Sequence, residues 1–152
     1  LPPSSLQGIG GATMLVNLSA SNALVSKAGY RKELVRQQSA RCVAAYVYSS
    51  AGVHESSTDL VFGGHAIVAE NGATLAESER FRRTASSIYA DLDFDRIVAA
   101  RISETSFQDA SLPEGVAFTE IPLEGLNEGD GFIRELSPTP FVPSRTEERN
   151  ER

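Results

Sequence analysis

The sequence predicts a layered α/β protein in which helices cover one face of a sheet. Three features lead to this prediction: an apolar run at residues 13–16, a helical pattern over about residues 27–45, and the Asn71-Gly72 pair between two strand-like stretches. The apolar run has the composition of a strand that is buried on both faces. Asn-Gly supplies the positive φ angles of a tight turn, which predicts a β-hairpin.

The first predicted strand leads into a helix. Residues 17–22 form a polar cluster at which the strand should open into a loop, and Ser26 can cap the helix that follows. The helical period places Arg31 largely away from the apolar face of this helix. The residues expected on the apolar face are Tyr30, Leu34, Cys42 and Ala45.

The chain then returns to strand-like patterns before a second helix. Residues 44–50, rich in Tyr and Val, predict a second buried strand. Asp93 can cap a short helix that runs through Ile102. Further strand-like stretches lie between these two elements, at residues 60–62, 65–69, 74–81 and 87–92. We interpret residues 1–108, which contain all of these elements, as one domain.

Beyond about Gln108 the periodicity fails. Five prolines and four glycines interrupt residues 109–152, and the end of this stretch is rich in charge. We interpret residues 109–152 as an extended linker that packs on something else. Because the chain has no initiating Met and begins with a loop-like, proline-rich stretch, we also expect it to be a truncated piece of a longer protein.

Composition argues against several classes of function. Fourteen basic against twenty acidic residues give a net charge of −6, which disfavours a nucleic-acid partner. No apolar run approaches the roughly 18 residues of a membrane-spanning helix, and no secretory signal opens the chain. A single cysteine fits a reducing compartment. The sequence therefore predicts a cytoplasmic protein without a membrane partner.

Two residues near the end of the first strand could bind a ligand. Ser21 follows a predicted buried strand at its carboxyl end, where open α/β sheets usually bind ligands, although loop serines more often bond the local backbone. Lys27 lies in the first helical turn, where its charge opposes the macrodipole by roughly a few tenths of a kcal/mol. A bound anion would relieve this conflict, whereas a solvated lysine would leave it in place.

Cys42 could act as a nucleophile with His54 or His65 as its base. A mid-helix position on the apolar side instead favours a small structural hydrophobe, since reactive thiolates need a cleft and a nearby cation or helix start. Gly8-x-Gly10-Gly11 precedes a strand rather than following one, so it does not predict a dinucleotide site. We also predict no metal site. The acidic residues, expected mainly at the surface, are Glu55, Asp59, Glu70, Glu77 and Glu79.

Residues 17–81 carry a distinctive series of segments. In order they read NLSASN, SKAGYRKELVRQQSARCVAAYVYSSAG, ESSTDLVFGGHAIVAENG and LAESERF. In order and spacing these segments resemble the amino-terminal glutaminase domain of the glutamine-dependent NAD synthetases, a domain of nitrilase type. The resemblance implies a nitrilase-like α-β-β-α sandwich, of which this chain would form the second half. Half of such a sandwich would leave an apolar sheet face open.

The resemblance also implies an activity. Enzymes of this family are ligases of NAD biosynthesis that release ammonia from glutamine with a Glu-Lys-Cys triad. They use the ammonia and ATP to amidate nicotinic acid adenine dinucleotide to NAD. In this family the second serine of the NLSxS run contacts glutamine, and a basic residue at the position of Lys27 binds it, so Ser21 and Lys27 are the expected glutamine-binding residues. The triad would lie upstream of Leu1, so this chain is expected to hold no catalytic residue and to be inactive alone.

The expected partners are L-glutamine, the other half of the glutaminase domain, the synthetase domain and further copies in a homo-oligomer. The ending Pro140-Phe141-Val142-Pro143 resembles the connector to the synthetase domain, which would hold ATP and Mg²⁺, and no cofactor is expected in this chain. Two alternatives remain open. The chain could be part of a stand-alone nitrilase-type amidohydrolase, or a non-catalytic nitrilase-like module that serves in assembly.

Overall fold

A mixed sheet with the strand order β1-β2-β3-β4 forms the centre of the protein. The computed structural model describes residues 2–123 and 133–135. Strands β1 and β2 are parallel, and β2, β3 and β4 pair antiparallel. The elements are α1 (Pro3–Ile9), β1 (Met14–Ser19), α2 (Lys27–Arg41), β2 (Ala45–Ser50), a 3-10 turn (Val53–Glu55), β3 (Ala66–Glu70), β4 (Ala73–Glu77), α3 (Phe94–Ser103) and α4 (Thr105–Gln108).

Helix α2 covers one face of this sheet, as the sequence predicts. Alternate residues of each strand point to the same face, and the register aligns Leu15, Tyr46 and Ala69 across β1, β2 and β3. These side chains and Ile67 form a buried cluster with Val35 of α2. Burying a side chain the size of isoleucine contributes roughly 1.5–3 kcal/mol, so this layer contributes substantially to stability.

The opposite face of the sheet is open at β1. Met14, Val16 and Leu18 alternate with the buried Leu15 and are 44%, 60% and 83% exposed. The prediction that this strand is buried on both faces is therefore wrong, because α2 covers only one of them. The exposed side chains form an apolar patch on β1 alone, since Ala45 and Val68 on the same face of β2 and β3 are buried. The fully open sheet face expected of half a sandwich is therefore present only at this edge strand.

Helix α2 ends at Arg41, four residues earlier than the sequence predicts, and Cys42 is its C-cap rather than a mid-helix residue. The amide of Ala44 donates to the Ser39 carbonyl, and the amide of Val43 donates to the Ala40 carbonyl. This pair of bonds is the Schellman motif, which requires a left-handed residue between helix and strand. Val43 fills that position with a φ of 43°, where glycine is usual.

Val43→Gly is expected to raise the free energy of unfolding by about 0.5–1 kcal/mol. An L-residue with a side chain in the left-handed region costs roughly 1–2 kcal/mol, and the larger backbone entropy that glycine loses on folding offsets part of the gain. Urea denaturation of the two proteins measures the difference. Val43→Ala keeps a Cβ atom, and an equal gain in that variant would contradict the backbone explanation.

The buried face of α2 differs from the predicted one. Arg31, Val35 and Ser39 are buried, whereas Tyr30 and Leu34 are 65% and 48% exposed. Ser26 is the N-cap residue, but its side chain caps no amide and its φ is 65°. The buried face of the helix therefore includes a cation, because the tertiary partners of Arg31 outweigh the apolar pattern of the helix sequence.

The hairpin between β3 and β4 confirms the prediction made from Asn71-Gly72. Their φ angles are 43° and 85°, as a two-residue turn of this kind requires. The predicted strands at residues 60–62 and 87–92 are wrong, since neither stretch pairs into the sheet. At the amino terminus the predicted loop is instead α1, which begins at Pro3, a favourable residue for the first helical position.

Helix α3 begins as predicted, with the Asp93 carboxylate accepting a hydrogen bond from the Arg96 amide. Its Arg101 guanidinium donates to the carbonyls of Ala12, Cys42 and Val43, which ties α3 to the end of α2. Residues 109–123 contain neither helix nor strand. The rest of the predicted linker, apart from residues 133–135, lies outside the described residues, so the division at residue 108 stays a prediction. In the described part of the chain, no helix is long and apolar enough to cross a membrane.

Candidate functional site

A cavity of about 340 Å³ runs between α2 and the strands β1 and β2, from the first turn of α2 and the carboxyl ends of the strands to Gln38 and the start of α1. Its lining includes both residues that the sequence singles out, Ser21 and Lys27, together with Tyr30, Arg31 and Tyr48. The parallel pairing aligns Ser19 with Ser50, so both strands end beside the loop that carries Ser21. This is the position at which open α/β sheets usually bind ligands.

Lys27 contacts the loop that precedes its own helix. Its Nζ donates to Oδ1 of Asn22 at 2.6 Å. The acceptor is a neutral amide oxygen, so this bond orients the ammonium group without neutralising its charge. An ammonium carries three protons, and two of them remain for other acceptors in the cavity.

Ser21 is held by Arg31, a residue that sequence reasoning places away from the buried face. Nη2 of Arg31 lies 3.2 Å from Oγ of Ser21, 3.3 Å from the Ser21 carbonyl oxygen and 3.3 Å from the Asn22 carbonyl oxygen. Ser50 adds a longer bond from its hydroxyl to the Ser21 carbonyl at 3.4 Å. Since guanidinium can only donate, the Ser21 hydroxyl accepts from Arg31 and its own proton stays available to a ligand.

His65 and Glu77 extend this arrangement to the protein surface. Nη1 of Arg31 lies 3.3 Å from Nδ1 of His65, Nε2 of His65 lies 2.9 Å from Oε1 of Glu77, and Lys32 Nζ donates to Oε2 of Glu77 at 2.5 Å. Arg31 must donate, so Nδ1 of His65 is the acceptor and Nε2 carries the ring proton. We call Arg31, His65, Glu77 and Lys32 the Arg31 network.

Electrostatics agree with a neutral imidazole. His65 is 1% exposed, and burial lowers its pKa, with the hydrogen bond to Glu77 opposing the shift and the nearby cations Arg31 and Arg80 adding to it. The hydrogen bond from Lys32 lowers the pKa of Glu77, which keeps the carboxylate ionised and able to accept from His65. Both terminal nitrogens of Arg31 and the Nε2 proton of His65 therefore meet acceptors, whereas Nε of Arg31 is buried without a hydrogen-bond partner.

One sequence signal could have revealed Arg31. Arg31, Val35 and Ser39 follow one another at intervals of four, which places them on one helix face. Two of these three residues are small or apolar, so the pattern predicts a buried helix face with an arginine at one end. The role of His65 has no comparable signal, because its contact with Arg31 spans 34 residues.

The other residues that the sequence singles out lie elsewhere. Cys42 is buried at the far end of α2, about 20 Å along the helix from Lys27. Burial raises the pKa of its thiol, which disfavours the reactive thiolate. His54 contacts the Arg83 carbonyl at 3.0 Å and His65 belongs to the Arg31 network, so each of these imidazoles is engaged away from Cys42.

The acidic residues lie mainly at the surface, as expected, and Glu70 is the exception among the five. It is 5% exposed, and its carboxylate accepts from the Asp93 amide at 2.7 Å and from Arg134 at 3.0 Å. These charge-assisted bonds offset the cost of burying the carboxylate. Among the described residues, no group of three or more His, Cys, Asp or Glu side chains could hold a metal ion.

Comparison with known proteins identifies relatives over nearly the whole chain. It is 40% identical over 149 residues, 95% of its length, to the glutamine-dependent NAD(+) synthetases of Mycobacterium bovis, Mycobacterium tuberculosis and Mycobacterium leprae. The match covers 22% of each relative, so the chain spans about a fifth of the length of the curated relatives it matches. No family model matches the chain.

One solved structure supports the assignment of the fold. A carbon–nitrogen hydrolase from Helicobacter pylori aligns over 70% of this chain and 41% of its own, with 18% identity and a TM-score of 0.58. A glutamine-dependent NAD(+) synthetase from Cytophaga hutchinsonii aligns over 48% of this chain and 12% of its own, with 29% identity and a TM-score of 0.46. The sequence match shows that this chain is a relative of one segment of the glutamine-dependent NAD(+) synthetases, and its sheet and helices have the nitrilase-like fold of a carbon–nitrogen hydrolase.

Proposed function

We propose that this chain forms the part of a glutaminase domain that binds the amino-acid end of L-glutamine, within a glutamine-dependent NAD(+) synthetase. The single observation that carries the proposal is the meeting of Ser21 and Lys27 in one cavity. They are the two residues that the resemblance to these synthetases singles out. The similarity to synthetases over 95% of the chain supports the same function.

The available donors suit a free amino acid. The α-carboxylate of glutamine would accept one of the two remaining protons of the Lys27 ammonium and the hydroxyl proton of Ser21. Hydrogen bonds from charged donors to a carboxylate are short and contribute roughly twice as much as neutral ones. The phenol rings of Tyr30 and Tyr48 line the same cavity and offer apolar surface to the aliphatic part of the substrate.

In the proposed enzyme, glutamine hydrolysis would supply ammonia for the ATP-dependent amidation of nicotinic acid adenine dinucleotide. The Glu-Lys-Cys triad would come from another part of the protein, because no residue of this chain is matched to it. The chain alone is therefore expected not to hydrolyse glutamine. In this proposal ATP and Mg²⁺ bind to the synthetase domain. We also propose that the enzyme assembles into a homo-oligomer.

Lys27→Ala, in a full-length protein that carries this segment, is expected to raise the KM for glutamine about 10- to 100-fold. This range corresponds to the loss of a charge-assisted hydrogen bond of about 1.5–3 kcal/mol. Ser21→Ala removes a neutral donor and should raise the same KM less, by about fivefold. NAD formation from ammonium chloride bypasses glutamine and should keep its rate in both variants.

Arg36→Ala is the matched control. Arg36 lies on the same helix, carries the same charge and contacts Glu33 and the Gly72 carbonyl instead of the cavity. Its glutamine KM should equal that of the unchanged protein. An unchanged glutamine KM in both Lys27→Ala and Ser21→Ala would refute the proposed binding site.

A further inference from the structure

We propose that Arg31 is a positioning residue, whose buried guanidinium holds both Ser21 and Lys27 in the geometry that receives the substrate. This inference rests on the proposed function and assigns a role to a residue that the sequence places outside the site. Arg31 is 8% exposed. It acts through the loop at residues 21–22, so its expected effect on substrate is indirect.

One nitrogen of Arg31 fixes two successive residues of that loop. Nη2 reaches the carbonyl oxygens of Ser21 and Asn22, as well as the Ser21 hydroxyl, all within 3.3 Å. Asn22 in turn presents Oδ1 to the Lys27 ammonium at 2.6 Å. A shift of this loop would therefore move both proposed substrate contacts together.

The rest of the Arg31 network fixes the guanidinium itself. Nη1 of Arg31 donates to Nδ1 of His65, and Glu77 holds the proton of His65 on the opposite ring nitrogen. The guanidinium carbon lies 5.8 Å from the centre of the Tyr48 ring, a cation–π distance. The planar fork of arginine can bind the loop on one nitrogen and the imidazole on the other, which lysine cannot do.

Stability alone does not account for an arginine at this position. The described partners of its guanidinium are neutral carbonyl, hydroxyl and imidazole groups, so its charge is buried without a carboxylate in direct contact. Burying a charge in this way is costly. An apolar side chain of similar length would fill the same helix face beside Val35 without that cost. The contacts to the loop are what arginine adds.

Arg31→Gln in the full-length protein tests the proposal, with Arg36→Gln as the matched control on the same helix. We expect the glutamine KM to rise at least about tenfold in Arg31→Gln and to stay unchanged in the control. NAD formation from ammonium chloride should proceed at the original rate in both. Arg31→Lys keeps the charge but not the fork, so its glutamine KM should fall between those of the unchanged protein and Arg31→Gln.

Two substitutions of His65 separate positioning from simple packing. His65→Asn places an amide oxygen near the position of Nδ1 and keeps the acceptor for Arg31. His65→Gln places its amide near Nε2 and keeps the contact with Glu77 but not that acceptor. Positioning predicts a nearly normal glutamine KM in His65→Asn and a raised one in His65→Gln. A merely structural role for the imidazole predicts similar values in the two variants.

An unchanged glutamine KM in folded Arg31→Lys and His65→Gln would overturn the positioning role. Ser21→Ala and Lys27→Ala, assayed in parallel, keep the two proposals distinguishable. If Ser21→Ala and Lys27→Ala raise the glutamine KM while Arg31→Lys and His65→Gln do not, the result supports the proposed binding site and refutes only the positioning role of Arg31. If Ser21→Ala and Lys27→Ala have no effect, the proposed function fails and the positioning role fails with it.

Discussion

Ile67→Ala is expected to lower the free energy of unfolding by about 3–4 kcal/mol. Ile67 is 0% exposed and lies on β3 opposite Tyr48, under helix α2. Removing three carbon atoms from this layer forfeits their transfer free energy and leaves a cavity that the sheet cannot close. Urea denaturation followed by circular dichroism would measure the loss. Domains are typically stable by only about 5–15 kcal/mol, so a change of this size would be evident.

Val16→Ala is the control for this prediction. Val16 also lies in the sheet, but it is 60% exposed on the face that α2 does not cover. Truncating an exposed side chain should change stability by no more than about 0.5 kcal/mol. A loss in Val16→Ala as large as that in Ile67→Ala would contradict the exposure of this face of β1, because it would mean that the strand is covered there in solution.

Acidification from pH 7 to pH 5 is the second change with a large expected effect on stability. The folded state keeps His65 neutral, with a pKa below the ordinary value of 6.5, chiefly because the imidazole is buried. The unfolded state therefore binds the proton more readily. The stability that neutral His65 contributes is fully present above pH 6.5 and is lost as the pH falls toward the folded-state pKa. The slope is at most about 1.4 kcal/mol per pH unit.

Urea midpoints measured between pH 7 and pH 5 test this dependence, with His65→Asn as the control. Asparagine does not titrate, so the fall in stability below pH 6.5 should become shallower in that variant. Glu77 stays in both proteins, and because its pKa is lowered, the stability that it contributes is present above its ordinary pKa of 4.5 and is lost only as the pH falls below that value. A fall of equal steepness in both proteins would assign the pH dependence to groups other than His65.

Local pattern was sufficient for several parts of the structure. Asn71-Gly72 predicts its turn because only a few residue types accept positive φ, and Asp93 predicts a helix start because its carboxylate caps a nearby amide. Both signals act within four residues of the chain. The α2 pattern likewise predicts a long helix, but not the end of that helix at Arg41, since nothing local indicates that Val43 would adopt a left-handed conformation.

The sequence by itself also determined the relationship to the NAD synthetases and the layered α/β class, because both depend on the order of segments along the chain. It singled out Ser21 and Lys27, but it could not bring them into one cavity. Tertiary structure alone decided that Arg31 is buried and that His65 contacts it. Those contacts join residues 34 positions apart, and whether a polar side chain is buried depends on partners that only the folded sheet supplies.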